Sequence, residues 1–298
     1  MLNRLFKNFF LYISQKRELE KFISNSKLTK TLVNRFIAGY ELESALKILE
    51  NLNKMGIRVT LDYLGESILN KDEAERTFLE YRRILKNLKG ANSVAVKLTS
   101  IGLDINQNLA YEYIRELTKI SNFIEIDMES SKYVDMTLEI YKRLKTEFPN
   151  KAIVVAIQSY LKRSLNDVKS LLKYKPIIRL VKGAYKEPKE IAFEKKKEVD
   201  KSYIEILKIL LENCDYTIIA THDEKIINFV KSLNVKKEKF EFQMLYGVRF
   251  DLLKKLKDKG YNVCIYLPYG THWYPYFMRR LAERPANVGF VIKNLFKS

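Results

Sequence analysis

A chain of 298 residues, 47% hydrophobic and 30% charged, can bury a large core and fits one barrel or two ordinary domains. No apolar run approaches the roughly 20 residues that span a bilayer, no signal-peptide pattern opens the chain, and Cys214 and Cys264 lack a CxxC or histidine cluster, which argues for a cytoplasmic protein without disulfides or metal. The net charge of +18 is scattered through Lys-rich helical segments such as 194–201 and 254–259 without an RNA-binding signature, so it reads as composition, with no nucleic-acid partner.

Residues 1 to about 55 read as helix. Leu2, Leu5, Phe6, Phe9, Phe10 and Ile13 recur at helical spacing beside Arg4, Lys7, Lys16 and Arg17, giving an amphipathic basic opening. Two readings stand for it: a face packed on the rest of the fold, or a peripheral contact with a membrane surface.

From Gly56 onward, apolar β-rich runs recur eight times, at 57–61, 93–98, 123–126, 152–157, 177–181, 216–220, 240–245 and 262–267. They are short and apolar on both faces, as strands of a helix-covered parallel sheet should be. Helical segments at 73–88, 108–120, 131–148, 190–212 and 223–233 alternate with them. The pattern predicts an α/β fold, a (β/α)8 TIM-type barrel preceded by N-terminal helices, with 1–55 as a helical segment on the barrel and 56–298 as the barrel. A doubly wound sheet is the alternative, but no glycine fingerprint follows the first strand.

Each run finishes on a polar or ionisable group: Asp62, Lys97, Asp127, Gln158, Arg179 with Lys182, Thr221 with His222, Gln243 and Tyr266. In a barrel these converge on the C-terminal mouth, where βα loops build active sites. After the last run, Pro275 and Pro285 bracket a helix of about ten residues. Tyr276, Arg279, Arg280 and Glu283 fall on it at spacings of three and four, along one stripe. Paired guanidiniums beside a carboxylate and a phenol can hold a small anion, although an ordinary surface ion pair would leave the same pattern.

The stretch Tyr276-Phe277-Met278-Arg279-Arg280-Leu281-Ala282-Glu283 resembles the signature of proline dehydrogenase, a flavoenzyme family. The resemblance runs roughly from 57 to 294 through Asp62-Tyr63-Leu64-Gly65-Glu66, Val96-Lys97-Leu98-Thr99, Ile126-Asp127, Gln158-Ser159-Tyr160-Leu161-Lys162-Arg163, Arg179-Leu180-Val181-Lys182-Gly183-Ala184-Tyr185, Ala220-Thr221-His222 and Phe242-Gln243-Met244-Leu245-Tyr246-Gly247. It implies a substrate site of Lys97, Asp127, Tyr266, Tyr276, Arg279, Arg280 and Glu283, with Leu245 against the substrate ring, and catalytic roles for Asp127, Arg179 and Lys97. FAD contacts would come from Met128, Gln158, Arg179, Lys182, Gly183, Ala184, Thr221, His222 and Gln243.

The reaction so implied is FAD-dependent oxidation of L-proline to pyrroline-5-carboxylate, the first step of proline breakdown to glutamate, with a membrane quinone or another acceptor taking the electrons. A monofunctional chain would then pass its product to a separate pyrroline-5-carboxylate dehydrogenase. Taken without the family, Lys97 or Lys182 suits the Schiff-base nucleophile of a class I aldolase-type barrel, and His222 suits a satisfied core histidine.

Overall fold

The computed structural model describes residues 33–282. Eight strands close into a barrel in sequence order: β1 (Arg58–Tyr63), β2 (Ser93–Val96), β3 (Phe123–Ile126), β4 (Ala152–Gln158), β5 (Ile177–Val181), β6 (Thr217–Ala220), β7 (Phe240–Leu245) and β8 (Asn262–Tyr269). Every neighbouring pair is parallel, and β8 returns to β1 in the register Thr60 to Tyr266. Helix α1 (Leu42–Lys54) precedes the barrel and packs on β1 and β8. The outer layer is α2 (Lys71–Asn87), α3 (Gln107–Ile120), α4 (Val134–Glu147), α5 (Ser164–Leu171), α6 (Lys196–Asn213), α7 (Glu224–Ser232) and α8 (Phe250–Asp258), and α9 (Trp273–Ala282) follows β8. Among the described residues no helix is long and apolar enough to cross a membrane.

Caps explain two helix starts. Asn70 accepts from the amides of Asp72 and Glu73, and Asn106 accepts from those of Asn108 and Leu109, so α2 and α3 begin slightly earlier than periodicity alone predicts. Two other predictions need correction. The helix expected from 190 begins at Lys196, because the chain before it is pinned in a loop: Ile191 C=O accepts from Lys162 N–H at 2.9 Å, and Phe193 N–H donates to Tyr160 C=O at 2.8 Å. Within the segment read as helical to residue 55, residues 33–36 and α1 are helical, but Gly39 (φ +107°) breaks the run between them. The amphipathic stretch from Leu2 to Ile13 lies outside the described residues.

Residues 33–40 have a second role. Ala38 N–H donates to Pro268 C=O at 2.8 Å, and Gly270 N–H donates to Gly39 C=O at 3.0 Å, which lays this segment along the end of β8. Phe36 and Ile37 join Leu64, Trp273, Tyr274, Phe277 and Met278 in a small core of their own, so α9 is seated on this segment as well as on the barrel. The approach is close: a Cβ at Gly247 (φ +72°) would lie 1.8 Å from the Arg35 carbonyl oxygen.

The inward faces of the strands are less apolar than the runs suggest. Side chains alternate across a strand, so Arg58, Thr60 and Asp62 of β1 share the interior with Ser93, Glu125, Arg179, Glu241 and Gln243. All but Arg58 are buried. The floor of the barrel is therefore a hydrogen-bonded polar layer where branched apolar side chains are the norm.

Candidate active site

Lys97, just past β2, places its ammonium 2.5 Å from Asp62 Oδ1 and 3.0 Å from Asp127 Oδ2. Asp127, just past β3, also accepts from Tyr266 OH at 2.7 Å and from Arg179 Nη2. Burial alone would lower the Lys97 pKa, but Asp62, Tyr266 and Asp127 outweigh it and hold the ammonium well above its ordinary range. Burial would likewise raise Asp127, yet Lys97 and Arg179 keep its carboxyl well below the usual range. A Schiff-base lysine needs a free amine, and the two carboxylates that clamp Lys97 at 2.5 and 3.0 Å weigh against the aldolase-type reading there.

Helix α9 brings Tyr276, Arg279 and Arg280 to the same opening. Arg279 Nη1 donates to Glu66 Oε1 at 3.0 Å, and Tyr185 OH donates to the other oxygen of Glu66 at 3.3 Å. The Arg280 guanidinium lies 5.2 Å from the centroid of the Tyr276 ring. Glu283 lies outside the described residues. Glu66 was assigned no role from sequence; the available signal was an acid in the loop after the first strand, within a motif that also holds Asp62.

The remaining predicted residues surround one cavity of about 800 Å³ together with these groups. Gln158 Nε2 donates to the Met128 carbonyl at 3.2 Å, while its Oε1 is buried without a partner among the described residues. The same holds for Arg179 Nε. Lys182 Nζ lies 2.5 Å from Asp200 and 2.7 Å from Asp223, and Lys196 is held by the same two carboxylates. Asp200, Asp223 and Lys196 are thus part of the mouth, although sequence reading passed over them. His222 Nε2 accepts from Leu245 N–H at 3.0 Å, which braces Leu245. Gln243 turns its amide toward the floor, with Nε2 donating to Thr60 Oγ1 at 3.0 Å. Gly183 (φ +113°) has a packing reason, because a Cβ there would fall 2.2 Å from the Tyr160 ring; Ala184 and Thr221 line the cavity beside it.

Residues 45–293 match the family model described as proline dehydrogenase. The chain is 39% identical over 304 residues to proline dehydrogenase 1 of Bacillus subtilis, covering 98% of this chain and 100% of that protein. It is 38% identical over 314 residues to the proline dehydrogenase of Deinococcus radiodurans, with both chains covered in full. The solved proline utilization A of Bdellovibrio bacteriovorus, inactivated by N-propargylglycine, superposes with a TM-score of 0.79 at 28% identity over 87% of this chain. The present chain spans 33% of that much longer protein. Family model, barrel and full-length relatives agree: the chain belongs to the proline dehydrogenase family, and its reaction is the oxidation of proline in proline catabolism.

Proposed function

We propose that the mouth holds FAD and oxidises L-proline to pyrroline-5-carboxylate, with a membrane quinone as the electron acceptor. The reading rests on Gln158 Oε1 and Arg179 Nε, two buried groups without partners among the described residues, which belong to the lining of one cavity. Buried polar atoms are rarely left unpaired, and a cofactor that accepts from Arg179 and donates to Gln158 would complete both. The donor set suits a dinucleotide: lysines, a left-handed glycine next to one of them, and amide and guanidinium groups line the same cavity. Bound FAD would supply the acceptor for the hydride equivalent leaving the ring carbon next to nitrogen, as the nitrogen gives its proton to solvent.

The chain's own residues bind and orient. Arg280 and the N–H groups of Arg279 not engaged by Glu66 grip the substrate carboxylate. Lys97 remains an ammonium and adds positive charge beside them. Asp127 fixes Lys97, Arg179 and Tyr266 at once, so the ring meets a preset wall of Tyr266, Tyr276 and Leu245. Product would pass to a separate pyrroline-5-carboxylate dehydrogenase.

Protein purified after growth with riboflavin is expected to be yellow, to bleach on anaerobic addition of L-proline, and to recover its colour with a soluble quinone. A colourless protein that still oxidises proline would overturn the flavin assignment. The stripe between Leu2 and Ile13 supports peripheral membrane contact by a cytoplasmic enzyme whose acceptor dissolves in the bilayer.

A further inference from the structure

Glu125 is fully buried at the centre of the barrel, and its two oxygens face different neighbours. Oε1 accepts from Ser93 Oγ at 2.7 Å, Thr60 Oγ1 at 2.8 Å and Arg58 Nη2 at 3.2 Å. Oε2 accepts from Arg179 Nη1 at 3.0 Å, with Gln243 Nε2 at 3.4 Å. Arg58 is itself held from below by Glu241, whose Oε2 lies 2.8 Å from Arg58 Nε, and its guanidinium lies 4.6 Å from the centroid of the Phe123 ring. Charges thus alternate along the axis through Glu241, Arg58, Glu125, Arg179, Asp127, Lys97 and Asp62.

Arg179 is the junction of floor and mouth. Its two terminal nitrogens are each fixed by a carboxylate, Nη1 by Glu125 and Nη2 by Asp127, and this leaves the guanidinium one orientation. Its Nε is the atom left over, buried and without a partner among the described residues. Asp127 also serves Lys97 and Tyr266, whereas the mouth-facing oxygen of Glu125 has Arg179 as its only charged partner among the described residues.

We propose that Glu125 is a positioning residue that aims Arg179 at the bound flavin and partly offsets its charge, thereby setting the flavin's reduction potential from the floor of the barrel. The inference rests on the flavin reading above. A positive charge beside an electron acceptor favours the reduced, more negative form. Glu125 weakens that field, so removing its charge strengthens it. Burial would raise the Glu125 carboxyl, but Arg179 and Arg58 outweigh this and keep it ionised, as the device requires.

The test is redox titration of the flavin-loaded protein against reference dyes, for the parent and for Glu125→Gln and Glu241→Gln. Glu125→Gln is expected to shift the reduced-to-oxidised ratio at fixed ambient potential at least tenfold toward reduced, about 30 mV upward for a two-electron couple. Glu241→Gln, which leaves every contact of Arg179 in place, is expected to move it less than threefold. If Glu125→Gln does not load flavin, Ser93→Ala replaces it: losing a neutral donor concentrates the carboxylate's charge on Arg179, and the potential should fall. A Glu125→Gln protein with lowered Tm and unchanged potential, or a Ser93→Ala protein whose potential is unchanged or higher, would overturn the inference and leave Glu125 a structural ion. A parent that takes up no flavin overturns the flavin reading itself, and this inference with it.

Discussion

The floor and the mouth of the barrel use the same chemistry and differ in how far it closes on itself. On the floor, Glu125 and Glu241 meet Arg58, Ser93, Thr60 and Tyr216. At the mouth, Asp62, Lys97, Asp127 and Arg179 pair just as tightly, yet Gln158 Oε1 and Arg179 Nε find no partner among the described residues. Taking charge out of water costs several kcal/mol per ion unless geometry restores it. The floor restores it from within, which makes it a rigid base. The mouth restores it only in part, and its unfilled valences mark where a ligand completes the structure. A polar interior thus signals a binding site by what it leaves unsatisfied.

The sharpest way to break this comparison is Asp127→Ala. That change takes the shared carboxylate from Arg179 and Lys97, leaving Arg179 on Glu125 and Lys97 on Asp62, and losing one partner of such a buried network costs about 3–5 kcal/mol. For a chain of this size the melting temperature should fall by roughly 10 °C. Calorimetry on the purified variant decides it, and a fall of under about 2 °C would show that the mouth cations do not depend on Asp127.

A pH scan separates the two regions next. Glu129, 3% exposed beside the mouth, accepts from Thr99 N–H at 3.1 Å and from the Thr99 hydroxyl, and burial pushes its carboxyl up to about 7. Its folded-state pKa lies above its unfolded value. The stability it contributes is therefore present in full below about pH 4.5 and is lost as pH rises through about 7. Up to about 3 kcal/mol is involved. Melting should be higher near pH 5.5 than near pH 8.5, and Glu129→Gln should flatten that difference. Equal slopes in parent and variant would remove Glu129 as the cause.

Arg280→Met probes the ligand side of the mouth with a smaller effect. Losing a charge-assisted fork to a carboxylate costs about 1.5–3 kcal/mol, so KM for proline should rise roughly 10- to 100-fold while the flavin spectrum stays that of the parent. An unchanged KM would detach the substrate carboxylate from α9.

The barrel was legible because outward-facing positions such as Val59, Leu61, Val94 and Ile124 must be apolar wherever helices cover a parallel sheet, and that leaves eight short runs. Much of the mouth was legible too, since Asp62, Lys97 and Asp127 stand at strand ends and Tyr266 stands near the close of the last apolar run, although β8 itself continues to Tyr269. The floor was not. Glu125 sits between two isoleucines and Arg58 beside an isoleucine and a valine, so each reads as an interruption of an apolar run. Only the register of distant strands makes them partners. Glu66 escaped for a similar reason, because its partner Arg279 arrives from the opposite end of the described chain. The break at Gly39 and the loop before Lys196 were hidden because tertiary hydrogen bonds, not local propensity, decide them.

The seat of α9 carries a consequence for how the protein becomes competent. The hydrogen bonds of Ala38 with Pro268 and of Gly39 with Gly270 join the first described segment to the last strand, across nearly the whole described length. Contacts of such wide sequence separation form late, because the loop they close is long. Until that closure is made, the arginine helix lacks part of its seat. Substrate recognition is then a property of the finished fold alone, and a partly folded molecule gains nothing from proline.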